Sequence, residues 1–444
     1  MSWVQFFADP RWDLGRRLIV GLFIGIATGL AAVGFRFAFG FLSDFLLKTG
    51  GEGIASASPI LLFCVPALGG LVVGLATWLS FGRGAGGRGT GIPGVADVVL
   101  AQTRDRGVLH WLDATKAALI NILALSAGAS VGREGPLVHL GATLGSLGGG
   151  WLQVDDTSRR IYVACGVAAG VAASFNAPLA GLFFAIEIAL GGLTSLSLAA
   201  IGPVVLSAIA GTLVSRNLLG PEAAFEIAQT LELSIWEFPA FVLLGFLCAG
   251  VSICFLNLMK LGWRLRRQVL GRVPSWTHPT MAGILLGLMA LWMPEVLGVG
   301  YDATFKSLSG DYATAYLLGL VCLKITAVLV CLILGFGSGI FSPALMIGAL
   351  IGVLFGQVAT FLAPQFPADI IAYGYAGMGA MVGAILGAPL STILMVFELT
   401  QDYTVTIAVM LSVIVAAQLT HAVVGNTFFG LQLEQRGVRI VLGG

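Results

Sequence analysis

Long stretches of the chain contain apolar residues without a charged residue between them. An α-helix needs about 20 apolar residues to cross a bilayer. The uncharged runs of at least that length are Pro59–Phe81, Ile161–Ile186, Ile188–Ser215, Phe238–Met259 and Ile370–Phe397. The run Ile325–Ala368 is long enough for two helices with a break near Gly337–Pro343, and Leu18–Leu47 carries only Arg36 and Asp44. The pattern predicts an all-α polytopic membrane protein with ten or more membrane segments.

The composition excludes a soluble globular protein. Of the 444 residues, 57% are hydrophobic and only 10% are charged, against about 25% charged in soluble domains. The mean hydropathy is +0.96, and the 62 glycines would let helices pack closely in lipid. A net charge of +1 without a basic tract gives no reason to expect nucleic acid as a partner. We therefore expect a multi-pass protein whose partners are membrane lipid and small solutes.

A motif occurs twice in the chain. Ala177–Leu179 reads Ala-Pro-Leu and is followed by Glu187, nine residues after its proline. Ala388–Leu390 reads the same and is followed by Glu398 at the same spacing. Two similar halves with corresponding helix breaks are typical of transporters whose site lies between the repeats. Inverted repeats are the arrangement that we expect.

The repeats set the predicted boundaries. Repeat one is expected over about 18–215 and repeat two over about 238–433, within one membrane domain of 18–433. Segment 1–17 carries three arginines and is expected in the cytoplasm by the positive-inside tendency. Residues 434–444 are expected to form a short tail without a regulatory domain.

Three breaks rich in Gly and Pro interrupt the apolar runs. They read GTGIP at Gly89–Pro93, GREGP at Gly132–Pro136 and GSGIFSP at Gly337–Pro343. Proline suits the first turn of a helix, so each break predicts the start of a tilted half-helix inside the membrane. Free N–H groups at such a start need a ligand, and the positive end of the helix dipole favours an anion. The breaks predict a central anion site.

Glu134 is the residue in these breaks with the strongest functional signal. A carboxylate beside a membrane-embedded helix start is costly unless it has a role. We interpret Glu134 as a mimic of the anion that leaves the site on protonation, and so as a gate and proton carrier. The alternative is an interfacial glutamate paired with Arg133.

The three breaks and the two Ala-Pro-Leu motifs, in this order and spacing, resemble the CLC family of chloride channels and chloride/proton exchangers. The resemblance covers nearly the whole chain. It implies a homodimer with a separate anion pathway in each subunit, and it implies two inverted repeats.

The resemblance also assigns residues. Glu134 matches the gating glutamate of the family. The implied anion-binding positions are Gly89, Thr90, Gly91, Arg133, Glu134, Gly135, Gly339, Ile340, Phe341 and Phe429. Thr90 stands where the family usually has serine, and Phe429 stands where it has a tyrosine that contacts the anion. Phenylalanine lacks the hydroxyl, so one hydrogen bond to the anion is expected to be missing.

A second difference concerns proton access from the cytoplasm. Exchangers of this family usually carry a glutamate at the position of Ile188, which cannot be titrated. Glu187 precedes it, but neighbours on a helix point about 100° apart, so Glu187 is not an obvious replacement.

Three transport functions remain open. Chloride/proton exchange leads because of Glu134, and a passive voltage- or pH-gated chloride channel follows because of Ile188 and Phe429. Fluoride/proton exchange is third, because the fluoride branch lacks the tyrosine but usually also departs from GREGP. Chloride is the expected transported ligand, with no cofactor, and the plasma membrane of a prokaryote is the expected location.

Two other classes of protein are less favoured. An intramembrane enzyme needs a Ser/His or paired-Asp arrangement within the spans, and the sequence offers none. A cation-coupled transporter of organic solutes usually has a more varied polar site than GREGP and GSGIFSP provide.

Overall fold

The computed structural model describes residues 13–47, 57–82, 91–192, 198–220, 235–362 and 369–438. Within these ranges the chain forms α-helices, short 3₁₀ turns and one π-helical turn, and it contains no strand. The predicted all-α fold is confirmed.

The first half of the chain forms helices α1 to α8. They are α1 (Asp13–Leu47), α2 (Pro59–Phe81), α3 (Val95–Thr103), α4 (Trp111–Ser126), α5 (Glu134–Trp151), α6 (Asp156–Phe175), α7 (Pro178–Phe184) and α8 (Leu198–Leu219). The π-helical turn Ala185–Ala189 extends α7.

The second half forms helices α9 to α17. They are α9 (Phe238–Val269), α10 (His278–Ala290), α11 (Tyr301–Leu308), α12 (Thr314–Leu334), α13 (Phe341–Leu362), α14 (Ile370–Leu386), α15 (Pro389–Thr400), α16 (Tyr403–Val424) and α17 (Phe428–Gln435).

Many of these helices are suited to a membrane. Among the described residues, seven stretches are long and apolar enough to cross one: α1, α2, α8, α9, α12, α13 and the stretch Tyr403–Gln435. Three apolar helices are shorter, namely Pro178–Ala189, α14 and α15. The protein is therefore an integral multi-pass membrane protein.

The structure corrects two of the spans expected from uncharged runs. Ile161–Ile186 and Ile370–Phe397 are each divided between two helices rather than forming one. Asn176 and Gly387 end the first helix of each pair in the left-handed conformation, with φ of 56° and 71°. The next helix begins two residues later with a proline, whose fixed φ suits a first turn. Hydropathy does not register such breaks, because glycine and proline leave an apolar run uncharged.

The two halves repeat one packing scheme. In the first half α5 packs along α6, and α8 packs against α1 and α6. In the second half α13 packs along α14, and α16 packs against α9 and α14. The predicted pair of structurally related repeats is confirmed.

Glycines allow close helix crossings at equivalent positions in the two halves. A Cβ on Gly141 of α5 would lie 2.3 Å from the carbonyl oxygen of Gly166 on α6. A Cβ on Gly348 of α13 would lie 2.2 Å from the carbonyl oxygen of Gly377 on α14. No side chain fits at such distances, so part of the high glycine content serves helix packing.

The duplicated glutamates join the halves by a reciprocal exchange. The Glu398 carboxylate accepts hydrogen bonds from the backbone N–H groups of Leu179 (2.8 Å) and Ala180 (2.9 Å), the second and third residues of α7. The Glu187 carboxylate accepts the equivalent pair from the second and third residues of α15, both at 2.9 Å. Such an exchange relates α7 and α15 by an approximate two-fold axis. Each half supplies the hydrogen-bond acceptors that the other half's helix start requires.

We expect Glu187→Ala and Glu398→Ala each to lower the free energy of unfolding by about 1–3 kcal/mol. Each change leaves two N–H groups at a helix start without their acceptor. The measurement is the midpoint of thermal unfolding in detergent. Glu434→Ala, at an exposed position of α17, is the matched control and should leave the midpoint unchanged. Equal midpoints for all three variants would contradict the exchange as a stabilising contact.

Candidate functional site

The breaks GREGP and GSGIFSP contact each other directly. The backbone N–H of Gly132 donates a hydrogen bond to the carbonyl oxygen of Gly339 at 2.9 Å. Gly339 has a φ of 104°, and a Cβ there would lie 2.4 Å from the carbonyl oxygen of Gly132. Glycine is needed at 339 for both the backbone conformation and the close approach. This contact brings together the starts of α5 and α13, which belong to different halves of the chain.

A cavity lies where the N-termini of four helices converge. The first residues of α3, α5, α13 and α17 line it, namely Val95, Glu134, Phe341 and Phe428. The other lining residues are Ile92, Gly94, Gly135, Val138, Phe184, Ser338, Gly339, Ile340, Phe429, Gln432 and Arg436. Helix starts present unpaired N–H groups and positive dipole ends, so the geometry suits a small anion.

Most of the predicted anion-binding residues come together here. Those lining the cavity are Glu134, Gly135, Gly339, Ile340, Phe341 and Phe429. Arg133 is buried beside Glu134, with 7% of its surface exposed. Gly91 instead lines a second cavity, together with Gly335. Gly89 and Thr90 lie outside the described residues.

Glu134 is held at the start of α13 by several donors. Only 1% of its surface is exposed. Ser342 donates its backbone N–H to Oε2 at 3.3 Å and its hydroxyl to Oε1. The hydroxyl of Tyr301 donates to Oε1 at 3.0 Å, and the Arg133 Nε lies 3.6 Å from the same oxygen. The pairing with Arg133 is present, but Glu134 is enclosed by protein, unlike the interfacial glutamate of the alternative reading.

Two of these donors were missed by the sequence reasoning. Ser342 belongs to the GSGIFSP break, so the sequence already placed a hydroxyl donor beside the helix start. Tyr301 stands 167 residues from Glu134 and belongs to no motif. Only the packing of α11 against α13 brings it to the carboxylate.

Asn121 is a third residue that the sequence did not single out. It is fully buried on α4, and its Oδ1 accepts hydrogen bonds from the backbone N–H (2.9 Å) and hydroxyl (3.1 Å) of Ser338. Its Nδ2 donates to the carbonyl oxygen of Ala117 at 2.8 Å. Asn121 thus fixes the second break from a helix of the first half.

One wall of the cavity is aromatic and another is polar. Phe429 is 5% exposed and contacts Phe428 edge to face, with ring centroids 5.5 Å apart. Arg436 pairs with Asp97, with Nη1 and Oδ1 2.6 Å apart. Asp97 also accepts the N–H of Gly94 at 2.9 Å. This pair ties the end of α17 to the start of α3 and balances the charge of the arginine.

The position of Ile188 is buried, with 3% of its surface exposed, in the π-helical turn after α7. Its neighbour Glu187 accepts hydrogen bonds from the start of α15. Glu187 is therefore engaged in holding the two halves together.

Comparisons with known proteins agree with this architecture. The family model described as "Voltage gated chloride channel" matches residues 69–421. The chain is 32% identical over 414 residues to a "Putative chloride channel protein ClcB-like" of Ralstonia nicotianae, covering 91% of this chain and 93% of that protein. It is 29% identical to a "Voltage-gated ClC-type chloride channel ClcB" of Citrobacter koseri, covering 91% of this chain and 96% of the relative. The chain therefore belongs to the CLC family of chloride channels and transporters.

Solved structures share the fold. A slow cyanobacterial Cl⁻/H⁺ antiporter matches with a TM-score of 0.83 and 24% identity, covering 95% of this chain and 97% of that one. A CLC-type fluoride/proton antiporter matches with a TM-score of 0.75 and 20% identity, covering 96% and 99%. At these identities the likeness establishes the fold.

We expect Gly339→Ala to abolish the stabilisation of the protein by chloride. A Cβ at this position would push against the Gly132 carbonyl and separate the two helix starts. The measurement is the rise in the thermal midpoint when chloride is added, since a ligand stabilises the state that binds it.

Gly310→Ala is the matched control for backbone strain. Gly310 also has a positive φ, of 79°, but a Cβ there meets no atom within 4 Å. Its cost should be strain alone, about 1–2 kcal/mol, with the response to chloride retained. An undiminished response in Gly339→Ala would contradict the assignment of the cavity as the anion site.

Proposed function

We propose that this protein transports chloride across a membrane in exchange for protons, and that Glu134 is both the gate and the proton carrier. The observation that carries the proposal is the position of the Glu134 carboxylate, which accepts the Ser342 N–H at the start of α13. A carboxylate held at a helix N-terminus stands where a chloride ion would find the same backbone N–H donors.

The lining of the cavity is suited to bind an anion weakly enough for the anion to be released. Partial charges from backbone N–H groups replace the hydration of the ion without the strong hold of a lysine or arginine facing it directly. Arg436 is the lining residue that carries a full positive charge, and Asp97 pairs with it. Chloride would therefore bind mainly through helix N-termini and would not be trapped by an unpaired cation.

Glu134 links this site to protons. While ionised, its carboxylate competes with chloride for the backbone N–H donors at the start of α13. Protonation removes the charge that these donors favour, so the side chain leaves and chloride takes its place. Each cycle of the gate then moves one proton through the same position that the anion uses.

A passive chloride channel is the second candidate, and Ile188 favours it. The side chain is buried and cannot carry a proton from the cytoplasm. In that case Glu134 would open and close the path without coupling. Fluoride/proton exchange is third, supported by the missing hydroxyl at Phe429.

We also propose that the protein is a homodimer with one pathway per subunit, as its family membership implies. The plasma membrane of a prokaryote is the proposed location, supported by the bacterial relatives. Light scattering in detergent should give a protein mass twice that of the 46.0 kDa chain.

The deciding measurement is proton movement in liposomes that carry the purified protein under a chloride gradient. We expect uphill proton movement in the wild type and none in Glu134→Gln, because the amide cannot take up and release the proton. Glu434→Gln, at an exposed position of α17, is the matched control and should behave as the wild type.

Chloride flux without proton movement would show that the protein is a chloride channel and not an exchanger. If only fluoride moves, the third candidate holds. Liposomes that pass neither anion would overturn the proposal as a whole.

A further inference from the structure

We propose that the hydroxyls of Tyr301 and Ser342 form a clamp that holds the ionised Glu134 in the anion's place and so limits chloride binding. The inference rests on the proposed function and names two positioning residues for the same site. Neither residue is required to touch chloride. Both act by stabilising the carboxylate that competes with it.

Both hydroxyls converge on one oxygen of Glu134. The Tyr301 hydroxyl donates to Oε1 at 3.0 Å, and the Ser342 hydroxyl donates to the same atom. The two hydroxyl oxygens lie 3.1 Å apart. Each hydroxyl has a single hydrogen, so both hydrogens are used when both point to the carboxylate.

This arrangement selects the ionised form of the gate. An ionised carboxylate only accepts, and it matches two converging donors and the Ser342 N–H. A protonated carboxyl carries a hydrogen of its own, so it cannot meet every donor in the same way. The clamp therefore releases Glu134 when the side chain is protonated.

The loop before α11 is braced so that Tyr301 reaches the gate. Lys324 is fully buried, and its ammonium donates to the carbonyl oxygens of Val296 (3.0 Å) and Gly298 (2.9 Å). The N–H of Gly298 donates in turn to the carbonyl oxygen of Gly128 at 2.9 Å, just before the GREGP break. This gives a positioning role to a buried lysine of the second repeat.

Arg133 fixes the tyrosine ring from the other side. Its guanidinium carbon lies 4.6 Å from the centroid of the Tyr301 ring, within the range of a cation–π contact. Tyr301 is thus held by the loop behind it and by the residue next to Glu134. A ring fixed in this way presents its hydroxyl at one point, as a clamp requires.

The test is the dissociation constant of chloride, measured by calorimetry in detergent, for Tyr301→Phe and Ser342→Ala. Both changes remove a hydroxyl and keep the rest of the side chain's shape. We expect chloride to bind about 10-fold more tightly to each variant, because a hydrogen bond to a charged group contributes on that scale. Chloride efflux from liposomes should be faster for both.

Two matched controls remove hydroxyls elsewhere. Tyr316 donates to Glu295 at 2.9 Å, and Ser412 donates to the carbonyl oxygen of Phe241 at 2.7 Å. Neither contact involves Glu134. Tyr316→Phe and Ser412→Ala should therefore keep the wild-type affinity for chloride.

The decisive background is Glu134→Ala, which leaves no carboxylate to hold. We expect Tyr301→Phe and Ser342→Ala to have no further effect on chloride affinity in this background. A purely structural role of the two residues would produce the same change with or without Glu134, and that result would overturn the clamp.

The outcomes also separate this inference from the proposed function. Chloride affinities of Tyr301→Phe and Ser342→Ala equal to that of the wild type would overturn the clamp, and the proposed transport would stand. If neither the wild type nor Glu134→Ala binds or moves chloride, the proposed function fails and the clamp fails with it.

Discussion

Helix N-termini inside a membrane protein must be met by hydrogen-bond acceptors, and much of this structure follows from that constraint. In water a helix start is satisfied by solvent, but in the interior its N–H groups need an acceptor. Four helices of the described chain, α3, α5, α13 and α17, begin at one cavity, and two more, α7 and α15, begin against each other. A fold that concentrates so many helix starts creates a strong demand for an anion.

The protein meets this demand in two ways. At α7 and α15 the acceptors belong to the chain, since Glu398 and Glu187 each accept two backbone hydrogen bonds from the opposite half. At α13 the acceptor is Glu134, which receives one backbone N–H together with two side-chain hydroxyls. The first kind of acceptor joins the two halves at α7 and α15. The second kind lies in the cavity that four helix starts line.

Some features of the fold and of the candidate site could be predicted from the sequence, and others could not. The spans, the repeat and the GREGP–GSGIFSP pair could be predicted because polarity and Gly/Pro spacing are local properties. The breaks at Asn176 and Gly387 were missed within uncharged runs, since hydropathy does not report backbone conformation. The contacts of Glu134 with Tyr301 could not be predicted, because they depend on how α11 packs on α13. Glu187 and Glu398 can be recognised in the sequence as members of a repeated motif. Only the structure shows that each accepts hydrogen bonds from the helix start of the opposite repeat.

The need of helix starts for an acceptor also defines the place of Glu187, next to Ile188. A glutamate one residue from the usual internal proton position invites the idea that the acid has simply shifted along the helix. Its two hydrogen bonds to the start of α15 argue against this, because protonating Glu187 would weaken the contact that joins the repeats. A proton carrier must change its charge in every cycle, whereas a structural acceptor must keep it. In this chain Glu187 accepts two backbone hydrogen bonds at the start of α15, whereas Glu134 lines the cavity.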